Sequence, residues 1–525
     1  MKAMRKFKNI YWAGMTASIL LLSQNIMAQD ENSRLVNPAS VELLKAKSLW
    51  FNTENSAGLT LDKMYDFNNL LFDVNLKEGD FKRKPEGSDE RNLGVSTEGG
   101  LNLGGGYVWG KFSYNNEKQE GTLYNTTMLD PVRGIPYYPV DKNLSDWVKQ
   151  DYNLSMKVAS KSLWERYIVG IGAQYQTRTG AKQVDPRSET NFYILNVKPA
   201  LVATFNNHSV GLNFMYERTN QESSTTNSNS QANQDVYVLK GLGYFYSAVV
   251  GGLQSLGKFV YDGNKIGGAF QYGYTGESLQ LLLDGKYTYG VEDATSTPTK
   301  PKKEGSVKFN NYEADLQLLI PGKNLNKVEL SWADHNTSGI EYVQVLDKTF
   351  EVQRWITTYK SIRSTYDLQE MALKYDFFRG SDLDYKWRTG LIAKYRNSDD
   401  VYIFPASEMK IEEMMVGINA KGNLNLGNQN RILGGLSFNY HKNLDGLYVY
   451  GGPDPESVII TDFMNSDFNY LKSGYTKTGA EICYFTRIGK NGRTGMFVNG
   501  ALDYFKPVDS DEHRMVSKIG FGFTF

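Results

Sequence analysis

The stretch Lys518-Ile519-Gly520-Phe521-Gly522-Phe523-Thr524-Phe525 decides the fold of this chain. Ile519, Phe521, Phe523 and Phe525 alternate with small or polar residues, and a period of two is that of an extended strand. All four large apolar side chains then lie on one face of the strand, and glycine, lysine and threonine lie on the other. The stretch therefore predicts an amphipathic β-strand with one face in an apolar environment.

The same alternation recurs from about residue 67 onward, in stretches of roughly 9 to 15 residues. Residues 151–158, 166–176 and 383–395 are clear cases, with Tyr385 at an apolar position and Ile168 as an exception at a polar one. Strands of soluble sandwiches usually have about 5 to 6 residues, whereas a tilted membrane crossing needs about 9 to 11. The lengths therefore favour an all-β transmembrane antiparallel barrel.

The composition agrees with this fold class. A mean hydropathy of −0.47 together with 35 tyrosines and 13% aromatic residues is unusual for a soluble α/β enzyme. It suits a barrel, because only every second strand residue of a barrel meets lipid. No linker or change of composition divides residues 67–525, which we therefore assign to one transmembrane barrel.

Connections between the predicted strands alternate between short and long. Outer-membrane barrels have short periplasmic turns and long extracellular loops, so the short connections indicate the periplasmic side. The strand count is about 18, with 16 and 14 as open alternatives, and both barrel ends are expected in the periplasm. The short connections fall at 104–106, 160–165, 206–208, 275–277, 320–325, 379–382, 424–430 and 488–492, and the others near 81–90, 118–149, 180–190, 220–263, 292–306, 337–364, 396–407, 441–470 and 507–511.

Residues 1–28 have the order of a secretory signal peptide. Basic residues come first, an apolar run extends from Ile10 to about Leu22, and the small residue Ala28 marks the expected cleavage site. Because this segment carries four basic and no acidic residues, the mature chain has a net charge of about −4. Such a mild charge does not indicate a nucleic-acid partner. The single cysteine, Cys483, excludes an internal disulfide.

The signal peptide and the last strand together predict the location. An amphipathic C-terminal strand that ends in phenylalanine resembles the signal that the outer-membrane assembly machinery recognises. We assign Phe521, Phe523 and Phe525 to this assembly signal. The protein is therefore expected in the bacterial outer membrane, with the lipid and the assembly machinery as its partners.

Residues 29–66 differ from the barrel in character. Asn37 followed by Pro38 is typical of a helix N-cap and first helical position, and the helix is predicted to extend to about Trp50. An 18-stranded barrel has a wide interior that must hold water, loops or a plug. We therefore expect segment 29–66 to be plug-like, lying either in the lumen or across the periplasmic mouth, with a loosely held lead-in to the barrel as the alternative.

Two resemblances extend this interpretation. The opening Ser48–Leu59 and the long barrel after it resemble an uncharacterised family of outer-membrane barrel proteins from Bacteroidetes-type bacteria, which implies fold and location but no activity. The shorter stretch Asn55-Ser56-Ala57-Gly58-Leu59 is similar to the Asn-Pro-Ala-Gly-Leu segment of long-chain fatty-acid transporter barrels, with Ser56 in place of proline. That second likeness implies a 14-stranded barrel that transports hydrophobic substrates.

The sequence predicts no catalytic, cofactor or metal site. His335 and Ser338 resemble the residue types of an outer-membrane phospholipase, but a serine three residues after the histidine would face the other side of the strand. The four histidines are scattered and only one cysteine is present, so zinc or copper ligands are not expected. We therefore predict that the protein is not an enzyme, with a hydrolase as a remote alternative.

Charged residues of both signs occupy the polar face of the predicted strands. Opposite charges on neighbouring strands can pair across the sheet. One strand is expected to face the next with Glu370, Lys374 and Asp376 opposite Asp384, Lys386 and Arg388. Two interpretations fit equally well, namely a hydrophilic channel and a wall of mutually paired side chains. The predicted lumen-facing residues are Glu313, Asp315, Glu370, Lys374, Asp376, Asp384, Lys386 and Arg388.

The segment 236–250 is too apolar for a solvated loop, although it lies within the predicted outer loop 220–263. A constriction inside the lumen, a lid formed with other loops, or contact with a partner protein would each bury it. The aromatic and proline-rich loop 118–149 is expected to join such a cap or to contact a partner or ligand. The residues assigned to lid or partner contact are Val236, Tyr237, Leu239, Tyr244, Phe245 and Tyr246.

Taken together, these features predict transport or uptake of an unknown solute, either as a channel or as an accessory subunit. The alternative is a structural subunit that docks onto a larger outer-membrane complex such as a TonB-dependent transporter. The sequence names neither the solute nor the partner.

Overall fold

Eighteen antiparallel strands form one sheet, which closes because the last strand pairs with the first. The computed structural model describes residues 37–229, 231–251, 256–296, 300–349, 353–380, 383–427, 430–488 and 494–525. The predicted signal peptide lies outside these residues. The barrel strands are β1 (Phe67–Glu78), β2 (Asp89–Leu103), β3 (Gly106–Thr122), β5 (Ser145–Ala159), β6 (Tyr167–Lys182), β7 (Arg187–Phe205), β8 (His208–Thr226), β11 (Lys258–Thr275), β12 (Gln280–Ser296), β13 (Lys302–Ile320), β14 (Asn324–Asp347), β15 (Arg354–Gly380), β16 (Tyr385–Tyr402), β17 (Ser407–Gly427), β18 (Asn430–Val449), β19 (Tyr475–Ile488), β20 (Thr494–Pro507) and β21 (Arg514–Thr524).

Each barrel strand pairs with its neighbours in sequence, and β8 pairs with β11 across the intervening outer loop. Closure comes from ten residue pairs between β1 and β21, running from Asn69↔Thr524 to Glu78↔Met515. No barrel strand therefore has an edge without a partner strand. The predicted fold class and the predicted count of about 18 strands are confirmed.

The alternation directs the large apolar side chains of β21 to the outside of the barrel. Ile519 is 68% exposed, Phe521 and Phe525 are also exposed, and the Phe521 and Phe523 rings meet edge to face at 4.9 Å. An outward-facing apolar surface on a closed barrel is what the hydrocarbon of a membrane requires. The protein is thus an outer-membrane barrel. No helix in the described ranges is long and apolar enough to span a membrane.

The short connections lie within a few residues of their predicted positions, but several predicted outer loops were too long. The ends of predicted loop 118–149 continue β3 and β5, and much of predicted loop 337–364 continues β14 and β15. The hydrogen bonds between paired strands continue above the bilayer. Lipid no longer imposes the alternation of apolar and polar residues there, so the sequence pattern ends before the strands do. Alternation alone therefore marks the membrane crossing and not the whole strand.

Above the rim, β14 and β15 continue as a two-stranded ribbon. The last pair with β13 is Ser306↔Ile340 and the last pair with β16 is Ser364↔Tyr402. Beyond these pairs, residues 341–347 and 354–361 pair only with each other. Exposed apolar side chains of the ribbon are Val343 and Val345, each 57% exposed, and Tyr359, which is 63% exposed.

Three additional strands belong to the outer loops, namely β4 (Pro139–Val140), β9 (Gln234–Gly241) and β10 (Tyr244–Val250), which form a separate small sheet. The loop between β18 and β19 contains a π-helical stretch, Ile459–Met464, followed by helix α2 (Asn465–Leu471). We call residues 123–144, the described part of 227–257 and residues 450–474 the outer lid, since they pack together at the long-loop end of the barrel.

A short helix precedes the barrel, as predicted. Helix α1 (Pro38–Lys47) begins where the Asn37 side chain accepts a hydrogen bond from the backbone N–H of Ala39 at 3.0 Å. It ends earlier than the predicted Trp50, because the Ser48 hydroxyl bonds back to Leu44 O at 2.8 Å and the chain turns. Two 3-10 turns follow, at Trp50–Asn52 and Ser56–Thr60. We call residues 37–66 the N-terminal segment.

We expect the substitution Phe525→Ala to reduce assembly without greatly reducing stability. Its half-exposed ring contributes about 1 kcal/mol or less to the free energy of unfolding, whereas its place at the end of the closing strand makes it part of the proposed assembly signal. The heat-modifiable folded band in outer-membrane fractions should fall several-fold, while the urea midpoint of the refolded barrel should change little. Val508→Ala, at an exposed apolar loop residue, is the control. Equal folded bands for the two variants would contradict the assignment.

Candidate functional site

The interior of the barrel lies between two clusters of buried apolar side chains, one at each end. At the short-turn end, which is periplasmic in outer-membrane barrels, the cluster joins the N-terminal segment to the strand ends. At the long-loop end, the cluster joins the outer lid to the opposite strand ends. The candidate site is the polar lumen between these clusters.

The N-terminal segment packs against strands on most sides of the periplasmic mouth. Trp50, Ala57 and Leu59 are buried there among barrel residues that include Ile168 and Tyr385. Ile168 is apolar at a lumen-facing position of its strand because the N-terminal segment buries it there. Tyr385 differs from its predicted lipid-facing position, since its hydroxyl donates to Glu42 of α1 at 2.7 Å. A register irregularity near the start of β16 accounts for the difference, because it interrupts the alternation on which the prediction relied.

The stretch Asn55–Leu59 forms the centre of this contact. The completely buried Asn55 amide donates to Leu201 O and Leu212 O, each at 3.3 Å, and to the Gln271 side chain at 2.8 Å. A Cβ at Gly58 would lie 2.1 Å from the Trp50 ring, so only glycine leaves room for that ring. The stretch that resembles a transporter segment therefore has a structural role here, which is to hold the N-terminal segment against β7, β8 and β11.

The barrel wall is shaped to receive the same stretch. A Cβ at Gly170 on β6 would lie 2.5 Å from the backbone nitrogen of Ala57. The two backbones therefore touch at this point, and no side chain fits between them.

Two carboxylates of the N-terminal segment form ion pairs with the wall. Glu42 contacts Arg388 at 2.7 Å and Lys421 at 3.3 Å. Glu54 contacts Lys198 at 2.8 Å and Lys286 at 3.1 Å. Burial alone would raise the pKa of Glu54, but the adjacent Lys198 and Lys286 ammonium groups hold it below its usual value.

Asp62 has an internal role in the segment. Its carboxylate accepts the backbone N–H groups of Trp50 at 3.2 Å and of Phe51 at 2.7 Å, which fixes the first 3-10 turn. Burial raises the pKa of Asp62 to about 7, against the lowering effect of these two hydrogen bonds.

The outer lid contains the residues that the sequence assigned to lid or partner contact. Val236, Leu239 and Tyr244 are buried, and Tyr237, Phe245 and Tyr246 pack against the same cluster. Aromatic stacking links the lid loops to each other and to the rim, with ring centroids 4.9 Å apart for Tyr124 and Phe463 and 4.0 Å apart for Tyr244 and Tyr402. The apolar segment 236–250 is thus buried by the chain itself.

Buried ion pairs also fasten the outer lid to the strand ends. Asp141 and Lys182 pair with both side chains only 1% exposed, and Arg133 binds Glu292 at 2.8 Å. A buried pair of this kind adds little net stability, but removal of one partner is costly, since the other charge stays buried.

Four of the eight predicted lumen residues, Glu313, Asp315, Glu370 and Lys374, line one cavity of about 520 Å³. Arg388 and Asp384 contact the N-terminal segment instead, since Asn37 donates to Asp384 at 3.1 Å. Asp376 lies beside Gly390 on the lumen side, and Lys386 is exposed at the register irregularity between β15 and β16. Two further cavities, of about 360 and 290 Å³, lie along β1–β3 and under the outer lid.

The charge pairing across strands differs from the predicted one. Because the turn between β15 and β16 is short, Glu370 lies opposite Arg396 and not opposite residues 384–388. Arg396 contacts Glu370 at 3.6 Å and Glu413 at 3.1 Å, and Lys374 contacts Glu329 at 3.7 Å. The register of the hairpin thus selects the partners.

The residues considered for hydrolysis lie on opposite faces of β14. His335 lines the large cavity, whereas Ser338 is three positions further along the same strand. In the part of the chain that the structure describes, no group of three or more His, Cys, Asp or Glu side chains is placed to hold a metal ion.

Comparison with protein families gives a match over residues 56–525 to the family of unknown function DUF6850. The chain belongs to this family. That outcome confirms the predicted membership of a barrel family without an assigned activity. The Bacteroidetes origin and the likeness to fatty-acid transporters remain predictions, and the 18 observed strands differ from the 14 that the second likeness implies. No curated protein matches the chain.

Several solved structures are similar in fold to this DUF6850 protein. The ferric preacinetobactin receptor BauA from Acinetobacter baumannii is 9% identical, with 88% of this chain and 80% of that chain covered and a TM-score of 0.39. The outer-membrane transporter YddB from Escherichia coli is 9% identical, with coverage of 87% and 81% and a TM-score of 0.41. The ferric-catecholate import receptor Fiu from E. coli K12 is 9% identical, with coverage of 87% and 81% and a TM-score of 0.37.

We expect Lys182→Met to loosen the outer lid. It leaves the Asp141 carboxylate buried without its cation, at a cost on the order of 3 to 5 kcal/mol. Loops 123–144 and 227–257 should become sensitive to protease added outside intact cells. The neighbouring exposed Lys142→Met is the matched control, and adding Asp141→Asn to Lys182→Met should restore part of the resistance. A Lys182→Met protein as resistant as the control would show that this pair does not hold the lid.

Proposed function

We propose that this DUF6850 protein transports a polar solute across the outer membrane, with the N-terminal segment as a plug at the periplasmic mouth. The observation that carries the proposal is a polar lumen of mixed charge, containing cavities, between two coverings that the chain itself provides. A barrel with a purely structural role has no need of a charged space inside it, whereas a solute path does.

The contacts of the plug are consistent with a closure that can be released. Glu42 and Glu54 each bind two cationic side chains of the wall, on strands β16, β17, β7 and β12. Ion pairs that remain partly accessible to water contribute little each, about 0.2 to 1 kcal/mol. They determine where the segment sits, and they can break and re-form without unfolding the barrel.

We expect the combined variant Glu42→Gln/Glu54→Gln to show more channel openings in planar bilayers than the wild type. Four cations of the wall would then lose their carboxylate partners on the N-terminal segment, although Lys286 keeps Glu313 and Lys421 keeps Glu481. A loss of about 1.4 kcal/mol would already raise the open fraction tenfold. Combination with Lys182→Met, which loosens the outer lid, should give the largest ion flow.

The control is Glu165→Gln, which removes an exposed carboxylate from a periplasmic turn at the same end of the barrel. Heat-modifiable mobility on gels should first establish that each variant is folded. If the folded triple variant passes no ions, the transport proposal is wrong.

A second candidate function is that of a structural subunit of a larger outer-membrane complex, such as one built on a TonB-dependent transporter. The residues 236–250 are buried in the lid, so docking would have to use another surface. The ribbon above the rim favours this candidate, because Val343, Val345 and Tyr359 are exposed on it and Val343 and Tyr359 are directly paired.

We expect Val345→Ser/Tyr359→Ser to release partner proteins if the ribbon is a docking surface. The measurement is mild detergent extraction from the native membrane followed by mass spectrometry of what copurifies. Val508→Ser, at an exposed apolar residue away from the ribbon, is the control. A wild-type protein that always purifies alone would eliminate the docking function.

A further inference from the structure

The 520 Å³ cavity has its shape because small side chains meet across two neighbouring strands. Ser331 and Ala333 on β14 and Ala372 on β15 line it, and Ser331 is directly paired with Ala372. Larger side chains at these positions would fill the space. We call this depression in the wall the β14 recess. Its volume lies within the range of about 300 to 1,000 Å³ that is common for small-molecule sites.

The two sides of the β14 recess carry opposite charges. Strand β13 contributes Glu313 and Asp315, and strand β16 contributes Lys394 and Arg396. The register places Asp315, Ser331, Ala372 and Lys394 in one row across four adjacent strands. Along this row, a carboxylate on β13 and an ammonium group on β16 lie on either side of two small residues, and Glu370 and Lys374 of β15 flank the row.

Two of these charges are available to a ligand. Glu313 contacts Lys286, and Arg396 contacts Glu370 and Glu413. Among the described residues, neither Asp315 nor Lys394 has an ion-pair partner. The row therefore offers one carboxylate and one ammonium group, on opposite sides of the recess.

The spacing sets the size of a matching ligand. Three strand intervals separate the Cα atoms of Asp315 and Lys394 by about 14 Å along the wall, and the flexible lysine stem shortens the gap between the charges. An extended tripeptide spans about 10 Å between its ends.

We propose that the β14 recess binds short zwitterionic peptides, with the ligand ammonium group at Asp315 and the ligand carboxylate at Lys394. This inference rests on the proposed transport function for the route by which the ligand arrives, and it names the class of solute. Neutral sugars would leave both charges without a partner, and a singly charged solute would leave one.

The test uses trialanine as the probe, with N-acetyl-trialanine and trialanine amide as probes that each lack one terminal charge. Calorimetry on the folded full-length protein in detergent should show each capped peptide binding about five- to tenfold more weakly than trialanine. The titrations are repeated with the Glu42→Gln/Glu54→Gln variant, in which the peptides can reach the β14 recess even if the plug obstructs the wild-type lumen.

Variants then assign each end of the ligand. Asp315→Asn should bind trialanine and N-acetyl-trialanine equally, and Lys394→Gln should bind trialanine and trialanine amide equally. Lys111→Gln is the matched control, since Lys111 lines a different cavity on β3, on the far side of the barrel. The Lys111→Gln protein should still bind trialanine more tightly than either capped peptide. Heat-modifiable mobility again establishes that each protein is folded.

Absence of trialanine binding in both backgrounds, or equal binding of all three peptides by the wild type, overturns the inference. The transport proposal is judged separately by ion flow. Ion flow without peptide binding would reject the ligand class alone, and peptide binding without ion flow would reject transport while the site stands.

Discussion

Every backbone N–H and C=O group that passes through hydrocarbon must find a partner within the protein, because no water is there to supply one. The ten pairs between β1 and β21 meet this requirement for the two strands that would otherwise be edges. Closure explains why the alternation in the last residues is informative. Those residues form a strand whose ladder joins the end of the barrel to its beginning, while its side chains face lipid.

Closure with 18 strands creates a second constraint, which is a wide interior. The chain meets it with its own segments at both ends. At the periplasmic mouth, Asn55 binds backbone carbonyls of β7 and β8, and Gly170 lets the Ala57 backbone approach β6. At the outer end, three loops bury one another and the strand ends below them. Between these coverings the wall remains polar, with cavities where its side chains are small.

The sequence predicts the barrel well because lipid imposes a simple pattern on it. The turns and the strand count follow from that pattern, and so does the face on which Phe521 lies. The pattern fails where lipid no longer acts. Above the bilayer, β14 and β15 continue without alternation, and at the periplasmic mouth Ile168 and Tyr385 are apolar although they face inward. A single sequence carries no signal for such contacts, because they depend on a segment far away in the chain.

For the candidate site too, the sequence predicts on which face of a strand each residue lies, but it does not predict which residues pair. That Asp315 and Glu370 face the lumen could be predicted from the strand period, whereas their partners depend on hairpin register. A register change of two residues would place Glu370 opposite a different residue of β16, with the same faces but other pairs. The small residues Ser331, Ala333 and Ala372 gave no sequence signal as site residues, since what they contribute is the space that they leave open.

The apolar contacts and the ion pairs of the N-terminal segment have different consequences. Full burial of a side chain such as Leu59 contributes about 1.5 to 3 kcal/mol, whereas a partly accessible ion pair contributes about 0.2 to 1 kcal/mol. Most of the stability of the N-terminal segment in the mouth therefore comes from Trp50, Leu59 and their apolar neighbours, and its register comes from Glu42 and Glu54. Helix α1 combines both kinds of contact, because Leu43 and Leu44 are buried in the same cluster as Trp50 and Leu59 while Glu42 pairs with Arg388 and Lys421 of the wall.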